Sequence, residues 1–274
     1  MSLHTTESGD PAAPTVVLLH GLGVTSWMWD DVAARLADRF HCVAVDLPRQ
    51  GESHAVPWES MAGTADLVAD VIARVAPDGR ADVVGLSQGG YVALALLARH
   101  PGAVRSAVVS GVATRRLVRP RLQGAVVRAA VVLLRSRLVA RIGGALMGLH
   151  GPERAAYVEG VARLSPTTIE RIYRELLDHR LPDGLDAVAD RLLAVAGDRE
   201  AGAIRRSLTD LAAAGATAAR VPRAAHAWVA QHPELFARTV ADWVGHRRVP
   251  AELEPVPAVR SAAGPDAALK SPRG

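Results

Sequence analysis

With 274 residues, 49% of them hydrophobic, the chain is long enough for one substantial α/β core carrying an insertion, and 24 glycines with 17 prolines imply many turns without collagen-like or low-complexity character. A single cysteine, Cys42, excludes an internal disulfide; lying in an apolar run, it reads as an inert core thiol. The net charge of +4 is almost wholly arginine, since Lys270 is the only lysine, and neither a leader pattern nor a run of roughly 18 apolar residues able to span a bilayer is seen, so a cytoplasmic protein without a membrane span or nucleic-acid partner is expected.

In chain order, Thr15 to His20 is a short β-branched run entering a glycine-rich turn, as a buried parallel strand does. Met28, Val32, Leu36 and Phe40 then recur every four residues, with Ser26 placed to cap a helix and Asp30 and Asp31 in its first turn. A second apolar run, His41 to Asp46, ends at Leu47-Pro48. Leu67, Val71 and Val75 mark a helix that stops at Pro77-Asp78-Gly79. Ala81 to Leu86 is the next buried strand, Gly89 to His100 a helix stopped by Pro101-Gly102, and Arg105 to Ser110 a further strand. Strand and helix alternating in this way predict a mostly parallel central sheet with helices on both faces.

The rhythm breaks near Ala113, and only helical patterning follows to about Leu185. Alternation resumes with Leu192 to Ala196, a face of Ile204, Leu208 and Leu211, a short strand from Ala218 to Val221, and a closing helix from about Pro233 to Val244. The expected division is a core formed by residues 1–112 and 187–248, an all-helical insertion at 113–186 and a disordered tail at 249–274. Inside the insertion, Val126, Val127, Val131, Val132, Leu133, Leu134, Ile142, Leu146 and Met147 are expected to bury against the core or line an acyl pocket. The stretch from Asp82 to Glu153 holds arginines but no carboxylate, which predicts a local basic face, solvated or turned toward an anionic membrane surface or substrate.

Gly85-Leu86-Ser87-Gln88-Gly89 follows one of these strands directly and opens a helix. Flanking glycines allow a sharp turn that exposes the serine hydroxyl above the sheet, and the helix N-terminus behind it favours negative charge developing nearby. A serine hydroxyl needs an adjacent base, and the base an acid to orient it.

The chain resembles the α/β-hydrolase family over about residues 12 to 247 apart from the insertion. The residues that carry the resemblance are His20-Gly21-Leu22-Gly23, Asp46-Leu-Pro-Arg-Gln-Gly-Glu-Ser53, Gly85-Leu-Ser-Gln-Gly-Gly90 and Ala225-His226-Ala-Trp228. Gln50 stands where the family usually has histidine. The resemblance implies Ser87 as nucleophile, His226 as base, and the backbone N–H groups of Leu22 and Gln88 as oxyanion donors, with Gly21, Gly23, Gly85 and Gly89 shaping the two turns and the insertion acting as a cap. The implied acid lies in Gly197-Asp198-Arg199-Glu200: family spacing points to Glu200, with Asp198 its rival. Asp46 is expected to tie down the loop after its strand.

The reaction so implied is hydrolysis of a small hydrophobic ester, carboxylesterase- or lipase-like, without cofactor or metal. Carbon–carbon bond hydrolysis, thioester hydrolysis and cofactor-free haloperoxidation share the same motifs, and a non-catalytic ligand receptor can keep them too. Gly21-Leu-Gly-Val-Thr-Ser26 with Asp46 imitates a dinucleotide-binding fingerprint, but Ser26 occupies the place of the third glycine and that reading leaves Ser87 and His226 unused.

Overall fold

The computed structural model describes residues 2–258. Its centre is one eight-stranded sheet in the order β1-β3-β2-β4-β5-β6-β7-β8, built from β1 (Thr5–Ser8), β2 (Thr15–Leu19), β3 (His41–Val45), β4 (Ala81–Leu86), β5 (Val104–Ser110), β6 (Leu192–Gly197), β7 (Thr217–Val221) and β8 (Glu254–Pro255). Strands β2 to β7 run parallel, and β1 and β8 close the two edges antiparallel.

Alternate residues of a strand point to opposite faces, and both faces here are covered. Val17, Leu19, Val43, Val45, Val83 and Val109 join one core with helices α2 (Met61–Val75), α3 (Gln88–Arg99) and α8 (Gly202–Ala213). Their neighbours Val16, Leu18, Cys42, Ala44, Val84 and Val108 join the other with α1 (Asp30–Leu36), α9 (Trp228–Gln231) and α10 (Pro233–His246). Each such side chain taken fully from water contributes about 1.5–3 kcal/mol, which makes the double-sided core the main source of stability. Burial also pushes the Cys42 thiol up to about 11, so little thiolate forms at neutral pH.

Between β5 and β6 the chain makes four helices, α4 (Pro120–Leu134), α5 (Arg137–Leu146), α6 (Gly151–Arg163) and α7 (Pro166–Asp178). α4 packs on α7 and α5 on α6. The expectation for their apolar side chains needs correction. Val127 is buried, but Val132, Leu133, Ile142 and Leu146 are 69%, 50%, 52% and 79% exposed.

Two local readings also change, and one edge strand was not read at all. Ser26 does not cap a helix with its side chain: it opens a 3-10 turn, Ser26–Trp29, and its N–H donates to Asp46 Oδ1 at 2.8 Å. Phe40 lies outside α1 and is buried just before β3. Strand β1 has a polar sequence that period-two hydrophobicity does not mark, because an edge strand exposes both sides.

The supposed tail is ordered at its start: Leu253 is 2% exposed, β8 pairs with β7, and the Val256 N–H donates to Ala218 O. The rest of it, from residue 259, lies outside the described residues. Leu253→Ala is therefore expected to lower the free energy of unfolding by about 2–4 kcal/mol, as removal of a buried leucine does, read from the urea midpoint at unchanged slope. A solvated tail would give no change.

Candidate active site

The site lies where the strand order reverses. β2 has β3 on one side and β4 on the other, and the loops leaving the carboxyl ends of β2 and β4 border the crevice that open α/β sheets use for ligands. The β4 loop is a single residue, Ser87, with φ 53° and ψ −117°, and α3 starts at the next position. A non-glycine residue held there costs about 1–3 kcal/mol, which the surroundings must over-determine. The Ser87 N–H donates to Ser110 O at 2.8 Å, and its carbonyl accepts from the Tyr91 N–H at 3.1 Å.

The two motif glycines act by leaving room. A Cβ on Gly85 would stand 2.3 Å from Gly89 O, and one on Gly89 would stand 2.0 Å from Leu19 O. Neither has positive φ, so the left-handed strain falls on Ser87 itself.

The β2 loop lies against this bend: an added Cβ on Gly21 would be 3.5 Å from Ser87 Cβ. His20, fully buried, fixes the loop's entry. Its Nε2 accepts the Leu47 N–H at 2.9 Å, which puts its proton on Nδ1, where it donates to Gly21 O at 2.7 Å. Burial lowers the His20 pKa, so the ring stays neutral.

Two buried amides join the loops. Gln50 Oε1 accepts the Gly23 N–H at 2.8 Å, and Gln50 Nε2 donates to Gln88 Oε1 at 3.1 Å. Asp46 holds the neighbouring backbone through the N–H groups of Ser26 and Glu52, at 2.8 and 2.9 Å, the anchoring role read from its position.

His226 comes from the loop after β7. The Ala225 N–H donates to Gln231 Oε1 at 3.0 Å, and the Ala227 N–H to Met147 O at 2.8 Å, which ties this loop to the helical insertion. Trp228 is fully buried against Phe236, ring centroids 4.5 Å apart, and its Nε1 donates to Ser110 Oγ at 2.9 Å. Ser110 thus binds the Ser87 backbone through its carbonyl and the His226 loop through its hydroxyl.

Of the two rival acids, the structure brings Glu200 to the histidine: Oε2 lies 2.6 Å from His226 Nδ1, and Oε1 accepts the Gly197 N–H at 3.0 Å. The Glu200 side chain is 0% exposed and that of His226 20%. With its Nδ1–H donated in a hydrogen bond to the carboxylate, the ring keeps Nε2 as its basic nitrogen. Asp198 is not part of this pair; its Oδ1 is buried without a hydrogen-bond partner among the described residues.

Ser87, His226, Gly21 and Leu22 line one cavity of about 460 Å³. Its remaining wall is mostly apolar: Val24, Trp27 and Met28 come from the β2 loop, Met147, Leu149, Tyr157, Tyr173 and Leu176 from the insertion, and Val229 and Ala230 from α9. Asp30, Asp31 and Glu153 supply carboxylates to the wall, and desolvation, followed by repulsion from Asp31, raises the Asp30 pKa. Most of these lining residues escape sequence reading. Gly23 packs closely on α6, where an added Cβ would stand 2.3 Å from Val161 and 3.0 Å from Tyr157, a contact that no local sequence pattern marks. Among the described residues, no three His, Cys, Asp or Glu side chains gather as a metal cluster.

The chain is similar to known proteins along most of its length. It is 31% identical to a pimeloyl-[acyl-carrier protein] methyl ester esterase of Chromobacterium violaceum over 247 residues, 84% of this chain and 93% of that protein. A protein so named from Neisseria meningitidis is 43% identical over 95 residues, so the match spans 35% of that relative's length. Among solved structures, an esterase of Thermogutta terrifontis superposes with a TM-score of 0.75 at 20% identity, covering 88% of this chain and 92% of that one. An esterase of Exiguobacterium antarcticum gives 0.74 at 20%, covering 88% and 95%. At these identities the two structures speak to the fold. The model of the alpha/beta hydrolase family matches residues 16–239, and the chain belongs to that family.

Proposed function

We propose that the chain is a serine hydrolase that cleaves an ester of a small hydrophobic substrate through an acyl-enzyme. The observation that carries this reading is the 2.6 Å contact between Glu200 and His226, with that histidine sharing one cavity wall with a strained Ser87. In the proposed mechanism, Ser87 Oγ attacks the ester carbonyl while His226 Nε2 takes the hydroxyl proton. Glu200, paired to Nδ1, stabilises the imidazolium and fixes the ring's tautomer. The tetrahedral oxyanion is held by the backbone N–H groups of Leu22 and Gln88, each such donor being worth roughly 3–4 kcal/mol. Collapse expels the alcohol, which leaves with the proton from His226. Water, activated by the same ring, then releases the acid and restores Ser87.

Ester cleavage is preferred to the other reactions of this motif set because the Chromobacterium violaceum relative, aligned over 93% of its length, is named as a methyl ester esterase. The insertion would act as a cap, since Met147, Leu149, Tyr157, Tyr173 and Leu176 complete the cavity over Ser87. That wall suits a neutral acyl chain. A carboxylate at the far end of the substrate would meet Asp30, Asp31 and Glu153, which stand along the wall with Asp30 and Asp31 open to solvent, and be repelled.

Two measurements follow. Hydrolysis of p-nitrophenyl butyrate and labelling by a fluorophosphonate are expected from the wild type, with kcat reduced at least about 1,000-fold in Ser87→Ala and in His226→Ala. Glu200→Gln should lose up to about 10,000-fold, whereas Asp198→Asn should stay within about twofold to threefold. The opposite order would transfer the acid's role to Asp198, and ligand-dependent thermal stabilisation without turnover in the wild type would mark a receptor. In a series of straight-chain p-nitrophenyl esters, kcat/KM should rise about fourfold per added methylene until the cavity is full. Esters ending in a carboxylate should be at least about 10-fold poorer than neutral ones of equal length. A profile that rises only for charged or bulky polar acyl groups would contradict the assignment.

A further inference from the structure

The faces that α4 and α5 turn to solvent are unlike the rest of the surface. Arg121, Arg128 and Arg135 recur every seven residues along α4 and its C-cap, so they fall on one side of the helix with a drift of only about 20° per step. Beside them, Leu122, Val126 and Leu133 are 55%, 37% and 50% exposed. On α5 the large apolar residues Leu138, Ile142 and Leu146 follow at four-residue spacing and are 67%, 52% and 79% exposed. The opposite side of α5 is small: Ala140 and Gly144 are buried, and an added Cβ on Gly144 would stand 3.2 Å from Tyr157. The helix thus seats its small residues on the protein and presents its large apolar ones to water, the reverse of a core-facing amphipathic helix.

The charge around these side chains has one sign. Neither helix contains a carboxylate. Arg115, Arg116 and Arg137 are engaged by Asp210, Asp178 and Glu159. Among the described residues Arg119, Arg121, Arg128, Arg135 and Arg141 have no such partner, and all five are exposed. Exposed large apolar side chains gathered on two neighbouring helices in this way mark an interaction surface.

We infer that α4 and α5 form a docking face for an anionic lipid bilayer. A second copy of the chain fits poorly, because a two-fold contact through this face would set its unpaired arginines against their own equivalents. A protein partner anchors its side chains in pockets, and none of the exposed Leu, Ile and Val side chains of the two helices lines any of the five main cavities. A bilayer needs no socket: convex apolar side chains enter it directly, and its headgroups supply the negative charge that these helices lack. Met147 and Leu149, one and three residues after Leu146, line the cavity that holds Ser87, so docking would set the cavity's insertion wall beside the lipid.

The test is sedimentation of the full chain with sucrose-loaded vesicles of phosphatidylcholine alone and of phosphatidylcholine mixed with phosphatidylglycerol. Binding is expected to the mixed vesicles and to weaken as salt is raised. The triple variant Arg121→Gln, Arg128→Gln, Arg135→Gln should bind them about 100-fold more weakly. The variant Leu138→Ser, Ile142→Ser, Leu146→Ser should lose at least about 10-fold, with hydrolysis of soluble p-nitrophenyl acetate unchanged in both, which separates this surface from the catalytic assignment. The inference is overturned by absence of binding to either vesicle, by equal binding to both, or by binding that survives the Leu and Ile replacements. It is also overturned by a dimer in sedimentation velocity that those replacements dissociate.

Discussion

Everything at the site depends on one backbone conformation, the left-handed bend at Ser87 between a buried strand and a buried helix. Such a bend is costly for a serine, and the fold holds it by allowing no alternative. Gly85 and Gly89 come so close to each other and to β2 that any side chain there would push α3 off the sheet. Ser110, at the end of the adjacent strand, then accepts the Ser87 N–H. The strand that fixes the bend also fixes the partner, because the Ser110 hydroxyl receives Trp228 Nε1 from the loop that carries His226.

The second constraint is electrostatic. Glu200 is withdrawn from solvent, and its two oxygens are satisfied by the Gly197 N–H and the His226 ring. Leaving a buried carboxylate with one of these partners missing is far more costly than the pair itself is favourable. The imidazole is therefore held at one orientation by a group with nowhere else to turn. The histidine side chain itself remains 20% exposed, which the proposed proton transfer to and from a substrate would need.

How much of this could be read from the sequence depended on what each residue's signal measures. The parallel sheet, the bend at Ser87 and the loop holding His226 were legible because strands buried on both faces and glycines squeezed between them leave strong local patterns. Family spacing counted from Gly197 pointed to Glu200 but left Asp198 as a rival, since the choice rests on the turn there. Asp198 N–H bonds to Val221 O, Arg199 N–H to Ala224 O and Glu200 N–H back to Gly197 O, and only the last residue faces the ring. Gln50 was read only as a departure from the family's histidine; its amide bridges Gly23 to Gln88, residues 27 and 38 positions away from it. The apolar residues of α4 and α5 misled for a physical reason: hydrophobicity says that a side chain gains by leaving water, but not whether this chain or another surface receives it. Strand β8 was missed because two residues of Glu and Pro acquire their structure only from the edge they cover.

The central claim is that the Ser87 hydroxyl becomes the covalent carrier of the acyl group. It is tested most directly by quenching the enzyme in acid during turnover of p-nitrophenyl butyrate and locating added mass by peptide mass spectrometry. A single butyryl group on the peptide containing Ser87 is the result this account requires. Full turnover with the acyl group on another residue, or with the same activity retained when Ser87 is replaced by alanine, would contradict it.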